Sequence, residues 1–149
     1  MDNLTKYTLK NSDILEKVLT NIIDIFSRKS VKIHSVIVLS EIVEKLQSEY
    51  PFLNNIDIRD KKDLHEFKDD RTVTIEDNIN KISPEKVGKG LHAILDGFAK
   101  VIGKNDTYFL LTELQSLLPG DYISQIGSMG VDFELILLER EIDYLETGK

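Results

Sequence analysis

The stretch SPEKVGKGLHAILDGFAKVIG, residues 83–103, decides the fold. Ser83 is an N-cap residue type, Pro84 is favoured at a first helical position, and Glu85 meets the positive end of the helix dipole. A helix follows from that start. Val87, Leu91, Ile94, Leu95, Phe98 and Ile102 recur three and four apart as one apolar stripe, and Gly103 supplies a left-handed C-terminal residue. Gly88, Gly90 and Gly97 lie inside the helix, where each costs about 1 kcal/mol relative to Ala. Close approach of another helix backbone is the commonest reason to keep such residues. The spacing therefore predicts a tight-packing or dimer seam that includes Gly90 and Gly97.

On the N-terminal side, Asp13 and Glu16 form a capping-box-like pair ahead of Ile14, Leu15, Val18, Leu19, Ile22, Ile23 and Phe26. That helix is expected to end near Arg28 and Lys29. The next apolar run begins with Val31 and Ile33 and also suits a buried strand, but from Val36 its apolar positions fall at helical spacing until Pro51. It reads as a second helix, apolar nearly all round in its first half, and hence central beside the helix at 84–102.

On the C-terminal side, Asn105 or Asp106 is expected to cap a helix running through Leu111 and Leu114 to Pro119-Gly120. Asp121 caps a short helix with Tyr122, Ile123 and Ile126. A last helix starts after Asp132. In it Leu135, Leu138, Ile142 and Leu145 take the alternating three-and-four spacing of a coiled-coil seam. Ile136 and Leu137 bury its beginning, while its end is free to pair.

Residues 52–82 differ in kind. Ile56-Asp57-Ile58 and Thr72-Val73-Thr74-Ile75 alternate, and the polar run from Asp60 to Arg71 separates them. Either two short strands form a hairpin against the helices, or the segment is a flexible linker between two helical halves. The expected architecture is a mainly α, five to six helix orthogonal bundle with a possible two-stranded element at about 54–77. Residues 1–149 form one domain, with an N-terminal half at 1–50, a polar excursion at 51–82 and a C-terminal half at 83–149.

Composition narrows the function classes. The chain has 149 residues, 41% of them hydrophobic, and a formal net charge of −7, with segment charges of 0 over 1–50, −2 over 51–83 and −5 over 84–149. The acidity gathers at the end, in Glu134, Glu139, Glu141, Asp143 and Glu146. Phosphate neutralisation needs concentrated Lys and Arg, so nucleic acid is not an expected partner. A basic protein surface would fit that end, although an acidic solvated face also serves solubility. Cysteine is absent, which removes thiolate nucleophiles, disulfides and sulfur-ligated metals. With no signal-peptide pattern at the start and no apolar run near 20 residues, a cytoplasmic, non-membrane setting is expected.

The candidate chemistry is sparse. His34, His65 and His92 sit in separate segments, and none is paired with another at helical spacing. His34 and His92 read as ordinary histidines beside apolar stripes. His65 has Asp63 and Asp69 close by, and histidine with carboxylates can hold a divalent ion or form an acid/base pair. Lys61, Lys62, Lys68 and Arg71 balance those acids, which equally describes a solvated charged loop. Gly88-Lys89-Gly90 lies inside a helix rather than between a strand and a helix, and lacks the Lys-Ser/Thr ending of a phosphate loop. No serine lies in a Gly-x-Ser-x-Gly setting. No catalytic residue and no cofactor are implied.

Residues 91–131 read LHAILDGFAKVIGKN, then LLTELQSLLPGDY and ISQIGSMGV. This pattern of a helix ending in Ile-Gly, a Leu-rich second helix and a Leu-Pro stop resembles the small helical sensory or output domains of archaeal signal-transduction proteins. The resemblance implies action by partner binding or change of oligomeric state rather than by chemistry. Taken with the residues, it sets the expectation of a non-catalytic interaction or signalling module, a homodimer with its seam at Gly90, Gly97, Leu138, Ile142 and Leu145. The alternative is a ligand- or metal-binding protein or enzyme with a pocket near His65 or His92.

Overall fold

Helix α1 (Asn11–Phe26) is buried along one wide face from end to end. Its apolar stripe is unusually wide, so Ile14, Leu15, Val18, Leu19, Ile22 and Ile25 all reach 0% exposure. In the computed structural model, which describes residues 8–59 and 72–147, α1 contacts α2 (Lys32–Leu46), the long helix α3 (Pro84–Leu117) and a strand. The order continues with a 3-10 turn at Pro51–Asn55, strands β1 (Ile56–Ile58) and β2 (Val73–Ile75), a second 3-10 turn at Asp77–Lys81, then α3, α4 (Gly120–Ser128) and α5 (Phe133–Thr147). Among the described residues the fold is mainly α with one small sheet.

The placement of α2 corrects a sequence expectation. Val36, Leu39, Ile42 and Val43 face the core, but Ile33 and Ile37 are each 48% exposed. An apolar first half did not make this helix central; α1 takes that place beside α3. Helix α2 lies outside, with only one face covered.

The alternating segments do form a sheet. β1 and β2 pair antiparallel in the register Ile56 with Ile75, Asp57 with Thr74 and Ile58 with Val73. Ile56, Ile58 and Val73 turn into the core, as a period of two requires. Their connection, and with it the candidate metal set His65, Asp63 and Asp69, lies outside the described residues.

Helix α3 begins as its cap residues require, with the Ser83 hydroxyl accepting from the Lys86 N–H at 3.4 Å. The expected stop at Gly103 is a break of one residue, at φ 86° and ψ 178°, after which the helix resumes at once. Glycine is the residue for that backbone. The Thr107 hydroxyl, fully buried, reaches back across the break and donates to the Ala99 carbonyl at 3.3 Å, as a buried polar group requires. Asp106, an expected cap, instead pairs with Lys29 at 3.0 Å. Helix α4 likewise starts before Asp121, with Pro119 at its N-cap position. Helix α5 starts as expected: the Asp132 carboxylate accepts from the Leu135 N–H at 3.0 Å.

Candidate functional site

The two halves of the expected seam lie in different environments. On α3, the space left by the glycines is filled from within the chain. A Cβ on Gly88 would run into the Met129 carbonyl, one on Gly90 would sit 2.7 Å from Phe52 Cζ, and one on Gly97 would sit 3.1 Å from Ile42 Cγ2. Gly88 and Gly90 are buried. The tight packing read from these residues is thus intramolecular, and Gly90 has no surface to offer a second copy. Gly88-Lys89-Gly90 lies in regular helix, with its glycines spent on packing.

Helix α5 presents the contrary case. Ile136 and Arg140 are buried, Phe133 and Leu137 are half-buried on the same side, and together they attach the helix to the core. On the opposite side Leu135 is 43%, Leu138 56%, Ile142 44% and Leu145 74% exposed. At the helical repeat these four fall within an arc of about 80°. Glu134 and Glu141 border one edge of that arc, and Glu139 and Glu146 the other. A long apolar stripe between two carboxylate rows therefore faces outward.

Two cations near this helix leave the rows largely uncompensated. Arg140 is turned inward, 6% exposed, and its guanidinium donates to Asp143 at 2.8 Å. Its Nε is buried without a hydrogen-bond partner among the described residues, as is one oxygen of Asp96. Lys104 reaches from α3 to Glu141 at 3.0 Å and covers the Tyr144 ring at 4.3 Å, which pins the inner edge of α5. Glu134, Glu139 and Glu146 have no ion pair among the described residues.

Two of the histidines, His34 and His92, lie among the described residues. His92 Nδ1 accepts from the Asp132 N–H at 3.2 Å and so ties α3 to the start of α5. His34, exposed, has Ser30 Oγ 3.1 Å from its Nδ1 and lies against Phe26. Among the described residues no group of three or more metal-ligating side chains comes together, and no helix is long and apolar enough to cross a membrane.

One cleft among the described residues has a mostly apolar lining. Tyr50, Pro51, Phe52 and Ile82 form its apolar part, and Glu49, Lys86 and Lys89 its charged rim, around about 400 Å³. Partial burial, reinforced by the Glu49 carboxylate, pushes the Tyr50 hydroxyl pKa up from its ordinary value.

Sequence reasoning missed the buried polar residues that position these surfaces. Asn11 donates to the carbonyls of Ile79 and Ile82 at 2.9 and 2.8 Å, fastening α1 to the turn before α3. Gln125 both accepts from Leu9 N–H at 2.9 Å and donates to its carbonyl at 2.7 Å. Their partners lie 68 to 116 residues away, and no local pattern signals such bonds. Against this geometry, no protein-family model, no curated protein and no solved structure matches the chain.

Proposed function

We propose that this chain is a non-catalytic protein-interaction module and that its working surface is the outer face of α5. The observation that carries the reading is the set Leu135, Leu138, Ile142 and Leu145, four large apolar side chains in one row on the side of the helix away from the core. Full burial of a Leu or Ile contributes about 1.5–3 kcal/mol, so a helix laid along this row has a substantial driving force. A continuous apolar stripe rimmed by charge is the usual form of an interaction site. The resemblance of residues 91–131 to sensory and output domains implies the same mode of action.

The test is photo-crosslinking in the cells that make the protein. A photoreactive residue in place of Leu138 should give a discrete protein adduct, while the same residue in place of the exposed Thr112 on α3 should not. Equal labelling from both positions, or none from position 138, would sink the proposal.

A second reading, a binder of a small ligand, is favoured by the cleft at Tyr50, Phe52 and Ile82 with Lys86 and Lys89 at its mouth. An apolar carboxylate fits that lining, the chain on aromatic carbon and the charge beside the lysines. A ligand held there at a hundred times its Kd would add about 2.7 kcal/mol to stability, which a thermal-shift screen of fatty and aromatic acids reads directly. Loss of the shift in Lys86→Glu/Lys89→Glu would place the ligand in the cleft. No shift from any acid would remove this reading.

A further inference from the structure

We infer that the occupant of the α5 face is an amphipathic helix of another protein whose own apolar stripe is bordered by Lys or Arg, and not a second copy of this chain. The inference rests on the proposal that this face is a docking surface, and it concerns what docks there. With Leu135 and Ile142 at one core position of a heptad and Leu138 and Leu145 at the other, the flanking positions are Glu134 and Glu141 on one edge and Glu139 and Glu146 on the other. In a helix pair these flanks meet across the interface. A parallel second copy would set Glu139 and Glu146 against the partner copy's Glu141 and Glu134 rows. An antiparallel copy would set each row against itself. Every flanking contact is then glutamate on glutamate, in either orientation.

The neighbouring cations relieve this at one position only. Arg140 is buried on the opposite side of the helix and donates to Asp143, and Lys104 offsets Glu141 alone, at 3.0 Å, which leaves Glu134, Glu139 and Glu146 uncompensated among the described residues. Helix pairing chooses its partner by the charges at these positions, with like charges acting against the wrong pairing. A helix with Lys or Arg there would turn each repulsive contact into an attractive one, above the same apolar seam. Of the two roles that composition leaves open for this acidity, solubility and a basic partner, the flanking positions favour the second.

Two synthetic peptides test this on the full chain. Both are amphipathic helices of about 20 residues with Leu and Ile along the seam, one flanked by Lys and its twin by Glu. Fluorescence anisotropy should show the Lys peptide bound at least about tenfold more tightly than the Glu peptide. The preference should shrink at about 0.5 M salt, where charge is screened over a few ångströms. Leu138→Glu/Ile142→Glu should abolish binding, and Glu134→Lys/Glu139→Lys/Glu146→Lys should invert the preference.

Three results would overturn the inference. One is a homodimer at micromolar concentration that Leu138→Glu/Ile142→Glu dissociates, since a second copy then occupies the face. Another is equal affinity for both peptides. The third is binding of neither peptide. The crosslink from position 138 separates the two levels: an adduct without Lys-peptide binding leaves a docking surface and removes the basic-helix partner, whereas no adduct and no binding removes both.

Discussion

The first arm of α3 and the outer face of α5 both carry residues that ask for a close neighbour, and they find it in different places. On α3 the neighbour is Met129, Phe52 and Ile42 of the same chain. On α5 the row from Leu135 to Leu145 meets solvent. Helical spacing locates a surface that wants covering. Whether the chain covers it depends on which face another element reaches first, and α5 spends Ile136 and Arg140, not its heptad row, on attachment to the body.

Substitutions on the two sides should separate sharply. Phe98→Ala removes a ring that is 0% exposed and packs edge-on against Phe26 at 5.4 Å, and should cost about 3–5 kcal/mol in denaturant unfolding. Gly88→Ala drives a methyl into the Met129 backbone, which cannot swing aside as a side chain can. It should cost about 2–3 kcal/mol, while Gly97→Ala, which meets only the Ile42 methyl, should fall within about 1 kcal/mol of the parent because the gain in helix propensity offsets the contact. If Gly88→Ala were neutral, the intramolecular account of the α3 glycines would fail. Gly103→Ala has open space around it but an unfavourable φ of 86°, and should cost about 1–2 kcal/mol, read as a lower melting temperature. Smallest of all, Leu138→Glu should change unfolding free energy by no more than about 0.5 kcal/mol, because its side chain supports no core contact that the mutation could break. A cost like that of Phe98→Ala would place Leu138 in the fold rather than on a free surface.

Much of the fold was legible because its signals are local. Ser83-Pro84-Glu85 and Asp132 start helices where their chemistry says they should, and the alternation at 56–58 and 73–75 becomes a paired sheet. What the chain withheld depends on distant partners. The Val- and Ile-rich start of α2 looks central by composition, but among the described residues Ile33 and Ile37 are left half-exposed. Gly103 marks a break correctly, yet the helix resumes after it, and the Thr107 hydroxyl that reaches back to the Ala99 carbonyl is a contact that needs three-dimensional position. Arg140, one charge among many at the C-terminal end, is buried, and its removal from the surface leaves the carboxylates there dominant. That Leu138, Ile142 and Leu145 share one helix face was readable from heptad spacing; that Gly90 belongs to an internal contact was not.

The most direct measurement is an anisotropy titration of the Lys-flanked peptide against the parent chain and against Leu138→Glu/Ile142→Glu, paired with the melting curve of each. The expected result is binding by the parent only, with melting temperatures that agree within about 4 °C. Equal binding by both proteins, or a double variant that no longer folds, would contradict the claim that the outer face of α5 is a docking surface independent of the core.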